Sequence, residues 1–263
     1  MGIDESASGD QPWARTLPAR AVRELVICGV FGAIITTYAR RQVYGREYLA
    51  ELEGPVIFVA NHCSHVDTPV LLCSLPARWR RRTAVAAAAD YFYASRLLAG
   101  AVSLAFCTVP VERRGSATGI DAAAHIEQLL ADGWSLLVFA EGTRSRDGRV
   151  GRMRSGAAVL AAAHGLPIVP VHIGGTQSAM PIGRKWMVRP AGGGRLARHR
   201  VSVSFGAPID TRQGDDRFEA MERVRRFMES RGAETTPDLR TVRTARRTGR
   251  TPASTPIRTG RGR

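Results

Sequence analysis

Residues 61–67 read Asn61-His62-Cys63-Ser64-His65-Val66-Asp67 and follow the apolar run Val56-Ile57-Phe58-Val59-Ala60. An imidazole with a carboxylate five residues on, at the end of a buried strand, makes a candidate proton-transfer pair. Histidine is the side chain suited to proton transfer near neutral pH, and a carboxylate on its second nitrogen fixes its tautomer. The spacing alone recurs by chance in a chain with six histidines, but only His62 has an acid at that offset. His65 offers a second imidazole about one helical turn away, and without an acid at that offset it reads as structural or solvent-facing.

Two further constellations keep this one company. Glu141-Gly142-Thr143-Arg144-Ser145 follows a second apolar run, Ser135-Leu136-Leu137-Val138-Phe139-Ala140. An acid, a flexible glycine and an arginine at a strand end suit an anionic substrate, because a guanidinium fork binds phosphate oxygens bidentately. The same residues would also make a plain turn with Thr143 and Ser145 bonding to backbone groups. Between the two lies Val109-Pro110-Val111-Glu112-Arg113-Arg114-Gly115, and further on Arg152 and Arg154 precede Ser155-Gly156 at a predicted helix start. Charge and free backbone N–H groups favour an anion there.

The elements that must position these groups alternate along the chain. Strands are predicted over 56–60, 83–89, 106–111, 135–140, 168–173 and 201–205, with helices over 68–75, 91–105, 119–131, 155–164 and 218–229. A short strand and turn fills 43–52. This is an α/β pattern, a mixed, mostly parallel sheet flanked by helices, and strand-end loops then open on the carboxyl edge, where such sheets bind ligands. Pro170 lies inside its strand and removes a ladder donor, which places that strand at an edge or bulges it there.

Ahead of these elements, residues 1–20 read as a flexible lead-in and 21–42 as an apolar helix. Its uncharged stretch, 25–38, covers 14 positions. A bilayer span needs about 20, so the helix is expected either to lie half-embedded in a membrane or to pack on the core. Residues 43–231 form the folded domain. From 232 to 263 the composition shifts to Thr, Arg, Pro and Gly, with eight arginines against Glu234 and Asp238, the signature of a disordered Arg-rich tail. The net charge of +15 rests on arginine, with Lys185 the sole lysine. Such an excess favours membrane surfaces, nucleic acid or phosphorylated substrates without choosing among them. Four cysteines without a Cys-x-x-Cys pair speak against a structural zinc site and a disulfide-stapled secreted domain, and for reduced thiols in the cytosol.

Taken in order, the blocks Asn61-His62 through Asp67, Val109-Pro110-Val111-Glu112-Arg113, Glu141-Gly142-Thr143-Arg144-Ser145 and Ile168-Val169-Pro170-Val171 resemble the glycerolipid acyltransferases that include 1-acylglycerol-3-phosphate acyltransferase. The resemblance covers roughly residues 50–210. It implies that His62 is the general base on a lysophospholipid hydroxyl, with Asp67 orienting the ring. It implies that Arg113 and Arg144 bind the acceptor phosphate, and that Glu141, Gly142 and Thr143 shape the acceptor site. Arg154 stands where the family commonly has lysine. The donor would be acyl-CoA or acyl-carrier-protein, with no metal or cofactor, and the enzyme would sit on the anionic cytoplasmic face of the cell membrane as a peripheral or monotopic protein.

The basic Arg113-Arg114 pair leaves room for another lysolipid acceptor. A thioester hydrolase uses the same chemistry with water as acceptor. A non-enzymatic binder of anionic membranes or nucleic acid would depend on the tail, which the ordered motifs do not need, so no specific nucleic-acid partner is expected.

Overall fold

The computed structural model describes residues 11–88, 96–111, 122–211 and 216–236, apart from the side chains of 88, 96–98, 122 and 123. After a 3-10 turn, Pro12–Arg15, a continuous helix α1 spans Leu17–Tyr38, with a π-helical stretch at Leu25–Phe31. Strand β1 is Ala39–Tyr44, followed by the short helix α2, Glu47–Ala50, and strand β2, Ile57–Ala60. Helix α3 is Asp67–Ser74, α4 is Ala77–Arg80, β3 is Thr83–Ala88, α5 is Arg96–Phe106 and β4 is Thr108–Val111. Then come α6 (Ala122–Ala131), β5 (Ser135–Phe139), α7 (Gly156–His164), β6 (Ile168–Gly174), α8 (Thr176–Ala179), β7 (His199–Phe205) and α9 (Arg217–Ser230).

The strands form one seven-stranded sheet in the order β1-β7-β6-β2-β5-β3-β4. Every pairing is parallel except β6 with β7, the mixed, mostly parallel sheet expected from the alternation. Strand β2 at its centre is buried on both faces, which is why it reads as an unbroken apolar run. Phe58 and Ala60 turn to one face, against Leu71 and Leu72 of α3 and Ile27 and Ile35 of α1. Ile57 and Val59 turn to the other, against Ala158 of α7 and Val224 and Met228 of α9.

Three boundaries differ from expectation. The N-terminal helix starts at Leu17, inside the expected lead-in, because Pro18 fixes a helical φ in its first turn and Ala19 and Arg23 are buried. It ends at Tyr38 rather than 42, since residues 39–44 leave it to pair along β7 as the edge strand β1. At the other end, the tail begins later than 232. Val150 N donates to Glu234 O at 2.7 Å and Thr236 N to Val150 O at 2.9 Å, which clips residues 234–236 to the domain. Residues 1–10 and 237–263, most of the lead-in's polar half and of the Arg-rich tail, lie outside the described residues.

Pro170 sits in a central strand, so the bulge is the alternative that holds. Ile168 pairs with Ile209 and Val171 with Phe205. Residues 206–208 thus face only 169 and 170, and the missing proline donor falls at the irregularity.

At 22 residues with mean hydropathy 1.5, α1 is long and apolar enough to cross a membrane, longer than the uncharged run alone suggested. One face is nevertheless docked. The buried Arg23 guanidinium donates to the carbonyls of Ser103 (3.1 Å) and Leu104 (2.9 Å) near the end of α5, and to Ala14 O at 2.6 Å. Glu24 takes a bidentate pair from Arg80, 2.8 and 2.9 Å. The outward face carries Leu17, Val22, Leu25 and Val30, all exposed.

Candidate active site

Strands β5, β2 and β6 lie side by side and parallel, with Ala60 level with both Phe139 and Val171. The loops after all three therefore leave the same carboxyl edge. The loop after β2 carries His62 and runs into α3, whose first residue is Asp67. The loop after β5 carries Glu141 through Arg154, and the turn after β6 carries Thr176.

His62 Nδ1 lies 2.8 Å from Asp67 Oδ2; the imidazole is 20% exposed and the carboxylate fully buried. Asp67 Oδ2 also accepts from the backbone N–H groups of Cys63 and Ser64, both at 2.7 Å, while Oδ1 accepts from the Thr176 hydroxyl at 2.6 Å. The buried charge is thus met by four donors, the condition under which burying a carboxylate is tolerable. An ionised carboxylate accepts only, so Nδ1 carries the proton and Nε2 is left as the basic nitrogen. The ring stacks on Phe139 with centroids 4.1 Å apart, which fixes its plane.

Glu141 acts as a strut. Its Oε1 accepts from His62 N at 3.0 Å and its Oε2 from Gly151 N at 2.8 Å, and Ser145 N donates to His62 O at 2.8 Å. Burial pushes the Glu141 carboxyl above its ordinary value, partly offset by those two backbone donors. Gly142 has φ +68, and a Cβ there would lie 2.9 Å from Arg154 Nε; the glycine makes the turn and lets the Arg154 side chain cross it. Arg154 is itself anchored, its backbone N donating to Ala140 O at 2.8 Å.

Thr143 is exposed beside them. Arg144 contacts the His65 ring through Nη1. Burial, then the Arg144 charge, lowers the His65 imidazole below its ordinary value, leaving it neutral at pH 7. Cys63 is buried, and burial followed by the Asp67 charge pushes its thiol up to about 12.

A cleft of about 1470 Å³ opens in front of this edge. Val85, Val102, Phe106, Ile126, Leu136 and Val138 give it an apolar side, and Arg144, Arg146, Arg149, Arg152 and Arg154 a basic one; His62, Phe139 and Glu141 also line it. Among the described residues no group of three or more His, Cys, Asp or Glu is placed to hold a metal ion.

His62, Asp67, Glu141, Gly142, Thr143, Arg144 and Arg154, predicted from the sequence, therefore meet at one edge. Arg113 lies outside the described residues; the strand that leads to it, β4, runs parallel to β3 and β3 to β5, toward that same edge. Sequence reasoning missed Thr176. It follows the strand run directly, as Gly174-Gly175-Thr176, the same grammar of strand, glycine and polar residue as Glu141-Gly142-Thr143. Gly175 has φ +82, and a Cβ there would lie 2.1 Å from Arg200 O, so only glycine makes the turn that presents Thr176 to Asp67.

Comparison with known proteins agrees with this arrangement. A 30% identity over 183 residues links the chain to the chloroplastic 1-acyl-sn-glycerol-3-phosphate acyltransferase LPAT1 of Arabidopsis thaliana, covering 69% of this chain and 47% of that protein. The chloroplastic 1-acyl-sn-glycerol-3-phosphate acyltransferase BAT2 of Brassica napus is 31% identical over 151 residues, 57% of this chain and 41% of its own length. The chain thus spans about half the length of the curated relatives it matches. The fold is that of the crystal structure of the 1-acyl-sn-glycerophosphate acyltransferase PlsC from Thermotoga maritima, with TM-score 0.60 and 24% identity over 87% of this chain and 85% of that one. The acyltransferase family profile matches residues 40–174, from β1 to the end of β6. With half of its length so matched, and with every described residue of the His62–Asp67 and Glu141–Arg154 loops inside the matched stretch, this chain belongs to the acyltransferase family.

Proposed function

We propose that the chain transfers a fatty acyl group from acyl-CoA or acyl-carrier-protein to the free hydroxyl of 1-acyl-glycerol-3-phosphate, giving phosphatidate. The observation that carries this reading is the His62–Asp67 pair, with Nδ1 committed to a buried carboxylate and the ring lining the cleft. His62 Nε2 takes the proton of the acceptor hydroxyl as its oxygen attacks the thioester carbonyl. A tetrahedral oxyanion forms, the carbon–sulfur bond breaks, and the leaving thiolate recovers the proton from the imidazolium. Asp67 holds the ring and stabilises its transient positive charge. Transfer is direct: with its thiol pushed up to about 12, Cys63 supplies no thiolate at neutral pH to carry an acyl intermediate.

The cleft divides the substrates by chemistry. Its apolar side suits the acyl chains, and its arginines suit the acceptor phosphate, with Arg144 and Arg154 nearest the Glu141 turn and Arg113 assigned to the same task. Glu141, Gly142 and Thr143 shape this acceptor end. Both substrate and product are amphiphiles, which fits an α1 resting its exposed apolar face on the cytoplasmic leaflet while its other face stays docked.

The test is direct. Purified full-length protein, incubated with labelled palmitoyl-CoA and a panel of lysophospholipids, is expected to form phosphatidate from lysophosphatidate and release CoA in equal amount. His62→Ala should lower turnover at least about 10³-fold with an unchanged melting curve. CoA release that ignores added lysolipid would identify a hydrolase and sink the proposal.

A further inference from the structure

Between α8 and β7 the chain makes a long excursion over residues 180–198 that the mechanism does not use. It is an ordered piece of the fold. Met187 is buried in the core, Val188 N donates to Ala179 O at 2.8 Å, and Arg184 N closes a turn on Pro181 O at 3.1 Å. Yet it displays large apolar side chains to solvent: Ile182 is 52% exposed, Trp186 58% and Leu196 91%. Buried Met187 shows that the loop had an inward position available for an apolar side chain; Trp186, its neighbour, points out.

Charge surrounds these side chains. Residues 180–200 contain six Lys or Arg and no Asp or Glu, in a chain where acids elsewhere temper the arginines. Arg184, Lys185, Arg195 and Arg198 are exposed. Tryptophan beside basic groups is the composition of a bilayer interface, where the indole sits at headgroup depth and the cations meet lipid phosphates.

The patch is continuous with α1. Trp186 Nε1 donates to the Tyr38 hydroxyl at 3.3 Å, the Arg189 guanidinium lies over the Tyr38 ring at 5.2 Å, and Arg189 and Arg198 donate to the carbonyls of Thr37 and Thr36. The loop therefore abuts the last turn of the helix whose outward face is apolar and uncharged. It is also wired to the site: Ser64 Oγ donates to Met180 O at 2.9 Å, one residue before the excursion, and Thr176 donates to Asp67.

We propose that residues 181–198 are a second membrane-contact element, with an anionic lipid bilayer as occupant. Ile182, Trp186 and Leu196 enter the headgroup–acyl boundary, and Arg184, Lys185 and Arg195 take lipid phosphates. With α1 as the first contact, two points fix the orientation of the carboxyl edge over the bilayer. This rests on the reading of the chain as an enzyme of lipid substrates, and the test reads membrane binding separately from turnover.

Flotation of the full chain with vesicles of phosphatidylcholine alone, or with 30% phosphatidylglycerol, measures partition. Ile182→Ser/Trp186→Ser/Leu196→Ser should lower it about tenfold on both vesicles, and Leu196→Ser alone, at the most exposed position, by about threefold. Arg184→Gln/Lys185→Gln/Arg195→Gln should lower it about 100-fold on anionic vesicles only, at roughly fivefold per basic group. Turnover of a short-chain monomeric lysophosphatidate should stay within twofold in every variant. Partition within twofold of the parent in both triple variants overturns the proposal. So does a lipid-free shift from dimer to monomer by light scattering in the apolar variant, which would assign the patch to a second copy of the chain. A parent protein that binds vesicles through this loop yet turns over no thioester would instead sink the enzymatic reading alone.

Discussion

Replacing Asp67 by Asn separates the catalytic duty of this carboxylate from its structural one. An Asn can keep its oxygen at the position of Oδ2, where it still accepts from His62 Nδ1, Cys63 N and Ser64 N. Its amide N–H then faces the Thr176 hydroxyl, which rotates from donating to accepting. All four contacts survive in form, and what is lost is the charge. A unit charge about 4 Å from a developing imidazolium is worth about 4 kcal/mol at an effective dielectric of 20. If the ring carries half to all of its charge in the transition state, the barrier rises by about 2–4 kcal/mol. That is a fall of about 30- to 1000-fold in kcat, with KM for both substrates within about threefold, because neither substrate touches the carboxylate. The assay is initial-rate CoA release with saturating lysophosphatidate, alongside urea unfolding to show that the variant is folded. A folded Asp67→Asn enzyme with kcat within threefold of the parent would refute the assignment of His62 as a base supported by Asp67.

Further outcomes follow from neighbouring contacts. Thr176→Val keeps the shape but removes the donor to Asp67 Oδ1; unfolding should show a loss of about 1–3 kcal/mol, the cost of a buried acceptor left short, together with about a tenfold lower kcat. Gly142→Ala forces a side chain into a φ of +68 and toward Arg154; it should raise KM for the lysolipid more than it lowers kcat, measured by varying the acceptor at fixed acyl-CoA. Glu24 gives a pH signature. Burial pushes its carboxyl up, but the hydrogen bond and charge of Arg80, with Arg81, outweigh this and hold it below its ordinary value of 4.5. A carboxyl depressed in the folded state stabilises fully above about pH 4.5 and loses that contribution as pH falls through its lowered value. The stability gap between parent and Glu24→Gln, from urea unfolding, should therefore be present at pH 7 and shrink toward pH 3; a constant gap would exclude this pair as a docking contact for α1.

The fold and most of the site were legible because they are written locally. The runs at 56–60, 135–140 and 168–173 are central strands buried on both faces, and no other element of this length is so uniformly apolar. Chemistry sits at the residue after each run, where the chain must leave the sheet, so strand and motif announce each other. The ends were harder to read. Composition marks where charge stops, at Leu25, but α1 begins at Leu17 because Arg23 is buried against the end of α5, a partner about 80 residues away that no local pattern reveals. The same holds for residues 234–236, polar in composition yet paired with Val150.

Thr176 shows why the site was only partly legible. The sequence offset between His62 and Asp67 gives the pair, but not what keeps a carboxylate ionised at zero exposure beside a buried thiol. That stability comes from a hydroxyl 109 positions further on, delivered by a strand whose own adjacency to β2 is a property of the sheet order. Glu141 follows the same logic in reverse. Its place after β5 suggested a substrate group, whereas both of its oxygens accept backbone N–H groups, from His62 and from Gly151. A carboxylate so occupied has little capacity left for an acceptor, and it sets the distance between the base and the arginine-bearing segment. The motif residues thus divide by reach: His62, Arg144 and Arg154 line the cleft, while Asp67, Glu141 and Thr176 hold the three loops in register so that the first group meets one substrate.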